Sequence, residues 1–262
     1  MAHVNQVFER KEVKYHLDPE QFLHLQESLA GHMRPDDYGR TLISSMYWDT
    51  SERSLIGRSV EKPLYKEKIR VRRYGAPIVL DDAPCFLEVK KKYKGIVYKR
   101  RVKMSGKAVD MFLRGGNYED ACHAFPLPGD SSTSSLPVRD RQIGAEIAQF
   151  RDFHGPLFPS MTIECMRTAW ELLPNSPDAW TQLRITFDEE LSYQDLMAPA
   201  AGSDACPHVA LIPSGDVVLE IKAVGAMPRW LVDALNASNI RPGSFTKYGR
   251  AYEVAMKLKK AS

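Results

Sequence analysis

Six stretches of this chain alternate charged with apolar side chains at a period of two, the spacing that gives a β-strand one charged face and one apolar face. The clearest is Lys66-Glu67-Lys68-Ile69-Arg70-Val71-Arg72, in which every second residue is cationic. The others set Arg10, Glu12 and Lys14 on one face; Glu88, Lys90 and Lys92; Lys99, Arg101 and Lys103; Gln182, Arg184, Thr186 and Asp188; and Glu220 with Lys222. A Glu-x-Lys pair recurs at Glu12-Val13-Lys14, Glu88-Val89-Lys90 and Glu220-Ile221-Lys222, each placing a carboxylate beside an ammonium. One such strand is commonly an ordinary antiparallel strand with a wet face. Six of them argue otherwise, because a merely solvated face mixes Thr, Ser, Gln and both signs of charge, whereas these hold Lys and Arg with a minority of carboxylates.

The same patterning predicts strands at about 7–15, 42–48, 64–74, 85–93, 96–104, 160–172, 181–191 and 217–224, with Lys94-Gly95 turning a tight hairpin between Lys92 and Val97. A helix opens after Asp18-Pro19, buries Phe22, Leu25 and Leu29, and stops at Gly31. Others are expected over about 140–153, from Pro228 through Trp230, Leu231 and Leu235, and from about Ser244 to the C-terminus with Phe245, Tyr248, Tyr252 and Ala255 buried. Segments 115–139 and 198–216, rich in Gly, Pro, Ser and Asp, read as loops. The reading is thus α+β. With no linker and no internal repeat, residues 1–262 read as a single domain.

Net charge is only +3, but residues 62–104 hold 14 Lys/Arg against 4 Asp/Glu, so positive charge is concentrated there. Cys85, Cys122, Cys165 and Cys206 are widely spaced, which disfavours a zinc cluster or a disulfide framework. With no apolar leader and no long apolar run, the expected location is cytoplasmic, with no membrane segment in this chain.

Closing such a sheet with its charged faces inward would be prohibitive unless an anion or water filled the lumen. Phosphate suits it, since Arg offers bidentate forks to phosphoryl oxygens and Lys offers point charges. The carboxylates repel phosphate, so they either carry a hard divalent cation such as Mg²⁺ or Mn²⁺ or tie down neighbouring lysines.

These residues resemble a known family. Phe-Glu-Arg-Lys-Glu-Val-Lys-Tyr (8–15), Lys-Ile-Arg-Val-Arg-Arg-Tyr-Gly (68–75), Leu-Glu-Val-Lys (87–90), Arg-Thr-Ala-Trp (167–170), Leu-Arg-Ile-Thr-Phe-Asp-Glu-Glu-Leu (183–191), Leu-Glu-Ile-Lys (219–222) and Ser-Phe-Thr-Lys-Tyr (244–248) are similar, in order, to the VTC-like polyphosphate polymerase domain of the triphosphate tunnel metalloenzymes. The resemblance implies an eight-stranded antiparallel β-barrel, the triphosphate tunnel, with flanking helices. It further implies that Lys14, Arg70, Arg72, Lys90, Lys99, Arg167, Arg184 and Lys247 bind phosphate and that Glu220 binds the metal. Arg167 and Lys247 enter through the resemblance alone.

The implied activity is a metal-dependent polyphosphate polymerase that transfers the terminal phosphoryl group of ATP to inorganic polyphosphate. Arg70, Arg72, Arg167 and Arg184 would clamp the reacting phosphates, with Mn²⁺ or Mg²⁺ as cofactor. Alternatives are an inorganic triphosphatase or nucleoside triphosphatase, which Arg10 at an expected acidic position disfavours, and a non-catalytic polyphosphate-binding module. Nucleic acid is disfavoured because the charged ladders lack interleaved aromatic platforms.

Overall fold

The computed structural model describes residues 10–94, 96–131, 133, 135–198 and 206–261. Residues 7–9 of the first expected strand, Gly95 of the hairpin, and parts of both expected loops (132, 134 and 199–205) lie outside the described residues, as does the side chain of Arg10.

Eight long strands occupy the eight expected stretches: β1 (Arg10–Leu17), β3 (Thr41–Asp49), β4 (Tyr65–Tyr74), β5 (Pro84–Tyr93), β6 (Ile96–Ser105), β7 (Phe158–Leu172), β8 (Arg184–Asp195) and β10 (Val217–Val224). Three short ones, β2 (Met33–Pro35), β9 (Val209–Ala210) and β11 (Pro242–Gly243), were not foreseen. The sheet therefore differs from the eight-stranded barrel expected: it has eleven strands, and its hydrogen-bonded path has ends at β11 and β6 among the described residues. A strand of two or three residues has too little alternation to read.

The chain divides into two compact units. The first comprises Met1–Thr41, Cys165–Leu191 and Ile212–Thr246; the second comprises Leu42–Glu164, Ser192–Leu211 and Lys247–Ser262. In the first, the strand order is β11-β1-β10-β8-β7, with β2 on β7. Tyr15, Leu17, Ile185, Phe187, Leu219 and Ile221 bury the apolar face against Leu25 and Leu29 of α1 (Pro19–Leu29) and Leu231 and Leu235 of α6 (Arg229–Ala237). Each such side chain contributes roughly 1.5–3 kcal/mol on burial. The α1 helix starts where expected because Asp18 and Gln21 form a capping box around Pro19.

In the second unit the order is β7-β3-β4-β5-β6, with β9 on β8. Ile69, Val71, Leu87, Val89, Val102 and Met104 pack beneath α3 (Gly106–Leu113), α4 (Tyr118–Ala124) and α5 (Val138–His154). The α4 helix corrects the loop expected over 115–139. It is only seven residues long, so it completes too few turns to show a period, yet Asn117 caps it and the Tyr118 ring lies against Gly144 of α5. The helices α2 (Ser54–Val60) and α3 were likewise too short to read, and the last helix, α7 (Lys247–Ala261), begins three residues later than Ser244. Cys85 and Cys165 are buried thiols, as their strand positions required. No helix among the described residues is long and apolar enough to cross a membrane.

Candidate functional site

Register turns the alternation of single strands into continuous charged faces. In the second unit, β4 and β5 pair Lys68 with Lys90, Arg70 with Glu88 and Arg72 with Phe86. Across β5 and β6, Lys90 meets Lys99, Glu88 meets Arg101 and Phe86 meets Lys103. On the other side of β4, Tyr47 lies opposite Arg70 and Ser45 opposite Arg72. The sequence-predicted Arg70, Arg72, Lys90 and Lys99 thus share one face.

Glu88 is the anionic centre of that face, only 1% exposed. Arg70 donates its Nε–H to Glu88 at 2.7 Å, and Lys99 Nζ lies 2.6 Å from the other carboxylate oxygen. Burial alone would raise the Glu88 carboxyl, but Arg70, Arg72 and Lys99 bring it down to about 2. Burial lowers the Lys99 ammonium and, with Arg70 and Arg72 beside it, outweighs the attraction of Glu88. Arg70 also donates to the Tyr47 hydroxyl at 3.1 Å, and Arg72 donates to Ser45 Oγ at 3.0 Å. Burial pushes the Tyr47 phenol up, yet Arg70, Arg72 and Lys68 outweigh it and hold the group at about 8. Burial lowers the Lys68 ammonium to about 8, with Lys66, Lys90 and Arg70 adding repulsion and Tyr47 opposing it.

The first turn of α7 joins this face through an aromatic stack. The Tyr248 ring stacks on Tyr47 with centroids 4.2 Å apart, and Lys68 Nζ lies 5.7 Å from the Tyr248 centroid. The Tyr248 hydroxyl donates to Asp49 Oδ2 at 2.9 Å, with Ser160 Oγ 3.1 Å away. Asp49, fully buried, also accepts the N–H groups of Thr50, Leu55 and Ile56. It thereby anchors α2 and the start of α7, whose first residue is Lys247.

In the first unit, β1 and β10 set Lys14 opposite Glu220 and Glu12 opposite Lys222, and β8 adds Thr186 opposite Glu220 and Arg184 opposite Lys222. Lys14 Nζ lies 2.9 Å from Glu220 and 3.3 Å from Glu12, while Lys222 pairs with the other oxygen of Glu220. Burial opposes ionisation of Glu220, but Lys14 and Lys222 hold it at about 2. Burial lowers the Lys14 ammonium less than Glu220 and Glu12 raise it. Arg167 grips Asp188 with two bonds, Nε–H at 2.6 Å and Nη2–H at 2.7 Å, leaving the Nη1 side of the fork for another acceptor. Arg184 is half-exposed and pairs with Asp36 at 2.9 Å. Lys14, Arg167, Arg184 and Glu220 are therefore gathered in this unit.

Among the described residues, no group of three or more His, Cys, Asp or Glu side chains could by itself hold a metal ion. A hard cation that takes one or two carboxylates and completes its shell with phosphate and water nevertheless fits the donors near Glu220. Glu12 supplies a second carboxylate, and the buried Thr186 hydroxyl, directly across from Glu220, has no hydrogen-bond partner among the described residues. Sequence reasoning missed Tyr47, Ser45, Tyr248 and Asp49. Ser45 and Tyr47 carry no charge of their own to mark them in the sequence, and Asp49 and Tyr248 meet only through the fold.

Helix-backed antiparallel strands with a charged opposite face define the class: an α+β domain whose sheet presents clustered cations. The chain belongs to the VTC domain family, whose model matches residues 9–256 and so runs through both units. This is a triphosphate tunnel family, as the sequence resemblance indicated. Among solved structures, the chain is similar to a Vibrio parahaemolyticus protein provisionally named an adenylate cyclase. Its TM-score is 0.42 at 9% identity, covering 92% of this chain and 96% of that one. No curated protein matches the chain.

Proposed function

We propose that this protein is a metal-dependent polyphosphate polymerase that moves the terminal phosphoryl group of ATP onto inorganic polyphosphate. One observation carries the reading: Lys68, Lys90 and Lys99 stand abreast in register on three adjacent strands. Like charges directly opposite one another destabilise a sheet. A bound chain of phosphates offsets that repulsion.

In the reaction, the bond between the γ-phosphorus and its bridging oxygen to the β-phosphate breaks. A bond to a terminal oxygen of the acceptor phosphate forms, and ADP leaves. Positioning and charge neutralisation supply most of the catalysis in such transfers. Arg70, Arg72, Arg167 and Arg184 are assigned to phosphoryl oxygens, and Lys14, Lys90, Lys99 and Lys247 to the other phosphates. Ser45 and Glu88 keep the Arg72 and Arg70 forks oriented. Glu220, with Glu12 and the Thr186 hydroxyl, would hold Mn²⁺ or Mg²⁺, which supplies charge neutralisation at the phosphoryl oxygens when bound. Lys14 and Lys222, which neutralise Glu220 in the free protein, would turn to phosphate.

Incubation of the pure protein with ATP and Mn²⁺ tests it. Long-chain polyphosphate on a gel supports polymerisation. Orthophosphate alone would mean hydrolysis, and tight tripolyphosphate binding without turnover would mean a binding module.

A further inference from the structure

Three strand ends of the second unit meet at one tip: the start of β4, the end of β5 and the start of β6. Tyr65 pairs with Tyr93 and Lys66 with Lys92 across β4 and β5, while Tyr93 pairs with Ile96, Lys92 with Val97 and Lys91 with Tyr98 across β5 and β6. The Lys94 N–H donates to the Leu64 carbonyl at 3.0 Å and ties the turn to β4. Of the 17 large apolar side chains exposed among the described residues, six belong to this tip: Leu64, Tyr65, Tyr93, Ile96, Val97 and Tyr98. Leu64 is 72% exposed and Ile96 56%.

The same strand ends and turn carry Lys62, Lys66, Lys92 and Lys94, against Glu61 and a Glu67 that is bonded to Tyr65 and His154. The Lys66 ammonium is lowered by burial and by repulsion from Lys92 and Lys62, which places these three in one positive field. Such a field opposes a second copy of the same surface. It calls for an anionic partner, and the aliphatic side chains call for one that is also apolar; free phosphate offers Ile96 and Val97 nothing. From Ile96 to Arg101 every residue of β6 is exposed; Tyr98 and Arg100 border Glu146 and Ile147 of α5, so the bare end is the tip at Ile96 and Val97. A protein groove would have to enclose a wedge, whereas the headgroup region of a bilayer closes around one.

We propose that this tip docks the protein peripherally on an anionic lipid bilayer, with Leu64, Ile96 and Val97 entering the boundary between headgroups and acyl chains and the lysines holding anionic headgroups. Tyrosines at the rim suit that interface, with an apolar ring and a polar hydroxyl. Affinity for such a surface sums apolar burial and electrostatic attraction, the latter about fivefold per lysine near the membrane.

The test is sedimentation of the full chain with vesicles of phosphatidylcholine, with and without phosphatidylserine. Wild type should sediment with the phosphatidylserine vesicles only, and high salt should release it. Ile96→Ser with Val97→Ser should weaken partition by about tenfold or more, with ATP turnover in solution unchanged. Lys62→Asn with Lys94→Asn should weaken it by about fivefold per residue; both positions have positive φ, 56° and 45°, which Asn tolerates. Failure of wild type to sediment with anionic vesicles would overturn the proposal. So would equal sedimentation of the Ile96/Val97 variant, which would mean charge adsorption alone, or a lipid-free dimer that this variant abolishes, which would make the tip a self-association face.

Discussion

Glu88→Gln isolates the electrostatic logic of the cationic face, because it keeps the side chain's size and removes the one charge that holds Arg70 and Lys99. The carboxylate is held at about 2 against an ordinary 4.5. Linkage converts that difference into about 3 kcal/mol of stability at neutral pH. Breaking a fully buried pair costs roughly 3–5 kcal/mol, but the Arg70 and Lys99 side chains are 21% and 42% exposed, so screening moves the expectation to about 2–3 kcal/mol. The sign is determined by the depressed acid: its contribution is complete above pH 4.5 and is lost as pH falls through about 2. Urea denaturation midpoints of wild type and variant should therefore differ most at neutral pH, and the gap should fall to about half by pH 3. Tripolyphosphate should stabilise the variant more than wild type, because the face has gained a net positive charge. A gap that stays constant from pH 7 to pH 3, or a variant as stable as wild type, would refute the assignment of Glu88 as the neutralising centre.

Arg70→Ala with Arg72→Ala should leave the fold intact and weaken tripolyphosphate binding by about 1.5–3 kcal/mol per lost charge-assisted bond; calorimetric affinities equal to wild type would remove this face from the site. Glu220→Gln should lose most turnover and regain part of it with excess Mn²⁺, whereas Glu12→Gln should be milder. The reverse ranking in turnover assays would move the cation to the first strand. Tripolyphosphate affinity should decline as pH rises through about 8, because Lys68 loses its proton and Tyr47 becomes a phenolate over that range. Tyr47→Phe should flatten this decline, and isothermal titrations of both proteins across that pH range read it directly.

The alternation of residues 66–72 is a local property, so strand identity and the sorting of side chains to a charged or an apolar face were legible in the sequence. Lys14, Arg70, Arg72, Lys90, Lys99, Arg184 and Glu220 could all be read from that period. Arg167 and Lys247 needed the family resemblance. Register is different, because it depends on turns and on packing between strands far apart in sequence, and a slip of one residue would send every side chain to the opposite face. Only the folded sheet puts Lys68, Lys90 and Lys99 abreast, or closes Lys14 and Lys222 onto Glu220. Tyr47 carries no charge in the sequence and gave no local signal, and its low phenol pKa arises only where Arg70, Arg72 and Lys68 converge on it. Asp49 and Tyr248 are almost two hundred residues apart, and their hydrogen bond exists because α7 returns to β3. Period is written in neighbouring residues; electrostatic potential is a sum over distances in space, so the fold alone determines it.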